Sequence, residues 1–158
     1  MTLRFFLAHP KSFDDDALED VASIAHQVLR SFSSGAEFEL VLGRDYFNAR
    51  FKICGSWNAW IQEVAFGTEY LTRQPIFRAI LVPATGSIGA GTARIVEQSL
   101  QARKTVVVFN RKAICRRVVG VETVDRDDFK GSFRLVFEES TTTPGLPSTS
   151  SPHSPTLN

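Results

Sequence analysis

Cysteine is scarce in this chain, with only Cys54 and Cys115 among 158 residues. Their wide separation excludes the close Cys spacings of a structural zinc site and the dense disulfide framework of a small secreted domain. Both thiols are therefore read as reduced, which points to a cytoplasmic setting. Long hydrophobic runs are missing as well. No apolar stretch approaches the roughly 20 residues that cross a bilayer, and the start MTLRFFLAHPK is too short and too interrupted for a secretory signal. An excess of charge is also lacking: Lys plus Arg number 18 against 17 for Asp plus Glu, a formal net charge of +1. That balance creates no global field to draw in nucleic acid or an anionic membrane, so neither is expected as a partner and any anion site must be local.

What is present is enough apolar material, 43% of residues, for one substantial core and not two. Leu3 to Ala8 is an apolar run broken only by Arg4, the pattern of a strand buried on both faces of a parallel sheet. Ser12 with Asp15 predicts a capping box, followed by a helix in which Leu18, Val21, Ala22, Ala25, Val28, Leu29 and Phe32 recur at helical spacing until Ser33 to Gly35. Phe38 to Leu42 reads as a second strand, and Tyr46 to Gly55 as an irregular excursion. Ser56 predicts the cap of a second helix that presents Trp57, Trp60, Ile61, Val64 and Leu71 on one face, and Pro75 stops it. The two tryptophans are read there as core rather than as stacking platforms.

A strand over Phe77 to Val82, a glycine-rich turn, a helix from about Ala93 to Arg103 and a strand over Thr105 to Phe109 complete an alternation that implies a parallel sheet covered on both faces. Two further strands, Arg117 to Val124 and Phe133 to Phe137, read as an antiparallel addition at one edge. Beyond Glu139 the chain is mostly Ser, Thr and Pro, without a single Lys, Arg, Asp or Glu. The expected organisation is one domain over 1–139 and a disordered tail over 140–158.

The chemistry concentrates at strand ends. In Ala84 to Thr92, Gly86, Gly89 and Gly91 remove side chains where backbone must approach a ligand or take positive φ, Ser87 and Thr92 add hydroxyls, and Thr92 is placed to cap the next helix. A loop that leaves a parallel strand and opens a helix offers unpaired N–H groups and the positive end of a helix dipole to an anion. No Gly-Lys-Ser/Thr follows, so this is not a Walker loop. His9 and Lys11 follow the first strand, and Arg44 and Asp45 the second. Arg44 suits a phosphate fork, Asp45 suits ribose hydroxyls, and His9 suits an acid or base near neutrality. Asp14 to Asp16 are read as favourable charges in the first turn of a helix rather than as metal ligands. Arg111, Lys112, Arg116 and Arg117 form a local basic cluster, read as a solvated face, with nucleic acid phosphates as the sharper alternative.

GSIGAGTARIVEQSLQARKTVVVF resembles the glycine-rich segments of a Rossmann-like superfamily. That superfamily includes nucleoside 2-deoxyribosyltransferases, cytokinin-activating nucleotide phosphoribohydrolases and the DNA-processing protein A fold. The resemblance implies a doubly wound sheet, and together with the pattern of elements above the expected fold is an α/β, Rossmann-like three-layer sandwich with a parallel core sheet and an antiparallel edge addition. The resemblance also implies a nucleoside or nucleotide ligand and action at the N-glycosidic bond. In the two enzyme groups a glutamate stands three residues after the Gly-Thr; here that position is Ile95, and the nearest glutamate is Glu97 on a different side of the helix.

The candidate catalytic residues are accordingly Glu97, Asp45 and His9, with Glu63 a weaker one. The candidate ligand-binding residues are Ser87, Gly89, Gly91, Thr92, Arg44 and Lys11. No metal and no cofactor is called for. The expected partner is a small-molecule nucleoside or nucleotide, and self-association as a homo-oligomer is left open. A non-catalytic nucleotide sensor and a DNA-handling protein are the alternatives to the enzyme. Because the tail lacks apolar surface to bury, truncation after Glu139 is expected to leave the melting temperature nearly unchanged, as a thermal denaturation scan of the two chain lengths will measure.

Overall fold

A computed structural model describes residues 2–54, 56–73, 76–127 and 130–138. Chain order gives β1 (Leu3–Leu7), α1 (Asp15–Ser33), β2 (Phe38–Leu42), α2 (Gly43–Cys54), α3 (Trp57–Arg73), β3 (Ala79–Pro83), α4 (Ala90–Gln101), β4 (Thr105–Phe109), β5 (Cys115–Asp127) and β6 (Lys130–Phe137). One sheet holds all six strands in the order β2-β1-β3-β4-β5-β6. The β2-β1-β3-β4 part is parallel, and β5 and β6 join antiparallel. This is the expected Rossmann-like α/β sandwich with an antiparallel edge. The expected tail over 140–158 and the stop at Pro75 lie outside the described residues.

The apolar runs form strands because both faces of the parallel sheet are covered, so alternate residues feed two separate cores. Phe6, Ala8, Ile80, Val82, Val106 and Val108 point into one core with Leu71, Ala93 and Val96 from the helices. Phe5, Leu7, Ala79, Leu81, Val107 and Phe109 point into the other, where Ala25, Val28 and Leu29 of α1 meet them. Thus α1 lies on one face, and α3 and α4 on the other. Phe6 is fully buried and meets Tyr46 and Phe77 edge-to-face, with ring centroids 5.6 and 5.3 Å away.

Local chemistry sets the ends of the elements, not always where the sequence predicts. The cap of α1 is Asp14 rather than Ser12: its extended backbone lets the carboxylate accept from Ala17 N at 2.8 Å, while a turn from Pro10 to Phe13 keeps Ser12 outside the helix. Ser34 and Gly35, at φ 49° and 87°, close α1 in the left-handed region. Ser56 does receive Ala59 N at 3.3 Å, as expected of the cap of α3. At the other end of α3, Lys104 Nζ donates to the Leu71 carbonyl at 2.8 Å, covering an acceptor that the helix end leaves over.

Three readings of the sequence are corrected. Tyr46 to Gly55 is not a loop: residues up to Cys54 belong to α2, which starts at Gly43 directly on the end of β2. A Cβ on Gly43 would stand 3.1 Å from the Leu7 carbonyl oxygen, so glycine is what allows the chain to turn this tightly against β1. The fourth helix starts at Ala90, not near Ala93, with Gly89 as its cap residue; Thr92 is inside the first turn, because Ala93 N already donates to Gly89 O at 3.0 Å. Third, β3 starts at Ala79, two residues later than predicted, after Arg78 N has bonded Arg4 O at 2.7 Å.

Phe6→Ala removes a fully buried ring from the larger core and is expected to destabilise the fold by about 3–5 kcal/mol, read as a shift in the urea midpoint.

Candidate functional site

In a sheet of order β2-β1-β3-β4 the connections reverse direction between β1 and β3, so the loops leaving these two strands turn to opposite faces and a crevice opens at their carboxyl ends. The structure has a cleft of about 1140 Å³ at that place. Its walls come from five parts of the chain, α3 contributing Thr68. After β1 come His9, Lys11, Ser12 and Phe13; from α2 come Gly43, Arg44, Phe47 and Asn48. Ser87, Ile88, Gly89, Gly91, Thr92 and Arg94 form the side after β3, and Ser132 reaches in from β6. A smaller concavity of about 690 Å³ beside α1 holds Arg44 and none of the other predicted site residues.

Seven of the nine predicted residues thus line one cleft: His9, Lys11, Arg44, Ser87, Gly89, Gly91 and Thr92. Two do not. Glu97 is exposed on α4 and outside the cleft, because Ala93, Ile95, Val96 and Ser99 are the α4 residues that bury. Asp45 is exposed in the first turn of α2, also outside the cleft, and faces Arg44 with Oδ1 3.5 Å from Nε. The side chains of Glu63, Trp57 and Trp60 fall outside the described residues.

The glycines do not act through strain. Gly86, Gly89 and Gly91 have no positive φ, and a Cβ at any of the three would find nothing within 4 Å. What they provide is bare backbone beside the cleft at the start of α4, whose first N–H groups have no partner inside the helix. Arg94 stands one turn further along the same helix, and Lys11 faces the cleft from the loop after β1. No Asp or Glu is found among the described residues that line the cleft.

Arg44 is tethered by two carboxylates, Asp15 through Nη1 and Asp45 through Nε. The Arg44 side chain is 39% exposed and that of Asp15 90% exposed, so the pair sits in solvent where screening makes it weak and exchangeable. His9 is committed on both sides. Nε2 accepts the Arg44 backbone N–H at 3.0 Å, which puts the ring proton on Nδ1, 3.0 Å from the Pro10 carbonyl that accepts it. The neutral ring therefore joins the end of β1 to the start of α2 and keeps no nitrogen for exchange with a ligand. Burial holds its pKa below the usual 6.5, with the Arg44 charge acting the same way against the Pro10 bond and Asp45.

The basic cluster does not stay together as one face. Arg116 lies over the Phe137 ring at 5.0 Å and donates to the Glu138 carbonyl, and Arg117 reaches the Glu138 carboxylate at 4.0 Å. Half of the cluster thereby fastens the end of β6, leaving Arg111 and Lys112 exposed. Among the cleft residues, sequence reasoning missed Phe13, Phe47, Asn48, Arg94 and Ser132. Arg94 had a signal, one helical turn beyond the loop; Ser132 had none, being far from the loop in sequence.

Since the folded pKa of His9 lies below its unfolded value, the clasp contributes fully above the unfolded value of 6.5 and is lost as pH falls from there through the lowered folded value. Melting temperatures at about pH 7.5 and 5.5 are expected to differ less in His9→Ala than in the wild type, with the variant less stable at the higher pH. No family model matches the chain, and no curated protein and no solved structure is found to match it.

Proposed function

We propose that this protein binds a nucleotide in the cleft at the β1/β3 crevice and acts as a nucleotide-binding sensor. The phosphate would lie on the bare backbone of Gly89 to Thr92, with Lys11 and Arg94 beside it. The observation that carries this reading is the lining itself: three cationic side chains and the start of a helix converge, and no carboxylate among the described lining residues opposes an anion. Arg44 joins by exchanging its exposed Asp15 partner for phosphate. Phe13, Phe47, Ile88 and Ile95 supply an apolar part for a base, as ligand clefts combine apolar walls with a few polar anchors.

Cleavage or transfer at an N-glycosidic bond, which the loop's resemblance implies, needs a carboxylate at the sugar carbon. Glu97 and Asp45 both stand outside the cleft, and His9 has both nitrogens bonded. This favours binding over turnover.

A thermal-shift screen of nucleosides, nucleotides and sugar phosphates tests the reading, since a ligand at 100 times its dissociation constant adds about 2.7 kcal/mol to the folded state. Nucleotides are expected to raise the melting temperature by several degrees and the matching nucleosides far less. Gly91→Val should fold normally, because its Cβ meets open space, yet lose the nucleotide shift. An unchanged shift in Gly91→Val overturns the phosphate position. Release of free base from the stabilising nucleotide by the wild type over hours overturns the sensor in favour of an enzyme, and its loss in Glu97→Ala or Asp45→Ala would name the carboxylate.

A further inference from the structure

In a flat sheet of this order β6 would lie three strand spacings from β3, roughly 14 Å away. The loop after β3 nevertheless bonds directly to β6. Ile88 N donates to the Phe133 carbonyl at 2.9 Å, and Phe133 N donates back to the Ile88 carbonyl at 3.0 Å, an isolated antiparallel bridge between two otherwise separate parts of the chain. Two register shifts in the hairpin, between Val118 and Gly120 and between Thr123 and Asp125, supply the extra twist and bend that bring β6 back over α4 to this loop. Side chains reinforce the backbone pair, since Ile88 is buried and Phe133 packs against the same core cluster.

The bridge falls between Ser87 and Gly89, the two residues that carry the glycine-rich loop into α4, and the neighbour of Phe133, Ser132, lines the cleft. A residue in an antiparallel ladder directs its N–H and C=O to one side. Phe133 therefore spends both groups outward on Ile88 and none on Thr123, its register partner in β5. The hairpin does not need these two bonds for its own ladder.

We propose that the β5–β6 hairpin is a working part of the ligand site: Phe133 is a positioning residue that holds Ile88, and through it the glycine-rich loop, in the shape that receives the ligand. Loop and hairpin then open and close as one unit. The identity of the bound molecule rests on the nucleotide reading above, whereas the coupling of loop to hairpin does not.

Amide hydrogen exchange on the full chain tests this, with the ligand-free protein first. In low urea the Ile88 and Phe133 amides are expected to show the same opening free energy and the same urea dependence, because each is bonded to the other's residue. Different urea dependences overturn the coupling in the wild type, with no variant required. Phe133→Pro removes the donor to Ile88, while Phe133→Ala removes the ring and keeps both backbone bonds. Exchange at the bonded amides of this loop, Ile88 and Ala93, whose N–H meets Gly89 O, is expected to be about tenfold or more faster in Phe133→Pro than in Phe133→Ala, with Phe6 and Leu81 unchanged as a check on the fold. Equal loop exchange in the two variants overturns the proposal. Should Phe6 and Leu81 also exchange faster, the wild-type urea comparison decides. Adenosine 5′-monophosphate is then added to the wild type. Slower exchange at the loop and at Phe133 together supports the coupling, and protection of the loop alone overturns it. No effect of the nucleotide anywhere counts against the nucleotide reading and leaves the urea comparison to decide the hairpin.

Discussion

β1 and β3 lie side by side in the sheet, yet the chain leaves them toward opposite faces, and the whole of the cleft depends on that divergence. Parallel pairing from Phe5–Ala79 to Leu7–Leu81 fixes the two exit points at the same height. The two strands are also the most completely buried, which is why the exits are rigid: Phe6, Leu7, Ile80, Leu81 and Val82 have no exposed surface. Helix α1 then covers one face and α3 with α4 the other, so no helix closes the gap between the exits. A cleft at this position needs no dedicated residues to exist; the residues that follow each strand decide only what it holds.

Much of this was legible in the chain because burial on both faces leaves a strong mark. Thr105 to Phe109 and Phe38 to Leu42 are strands over the full lengths predicted, and α1 presents its predicted Leu18, Ala25, Val28 and Leu29 to the core. The cleft was legible through position rather than motif. Loops after neighbouring parallel strands must share one rim, so His9, Lys11, Arg44 and the glycine-rich turn were brought together by topology alone.

What was not legible lacked a local signal. Helix α2 begins on a glycine, takes its side-chain cap from His9, 35 residues before Arg44, and has no clear apolar stripe; Tyr46 and Phe47 anchor it only once Phe6 and Phe77 are in place. Glu97 and Asp45 are chemically suited to the site, but the burial of Ile95 and Val96 turns one away and the other is exposed in the first turn of α2, outside the cleft. The bridge between Ile88 and Phe133 was invisible because both residues look like ordinary apolar fillers, and the bond is made by backbone atoms that carry no sequence identity.

The absence of any linker between β2 and α2 has its own consequence. With Gly43 wedged against Leu7, that wall of the cleft has no slack: Arg44, Phe47 and Asn48 move only as far as the edge strand and its pairing with β1 allow. The opposite wall is a run of small residues tied down at Ile88. Both walls are thus anchored in the sheet, one through the β1–β2 pairing and the other through the bridge to β6. The width of the cleft is therefore set by strand pairing at both walls rather than by the length of the loops.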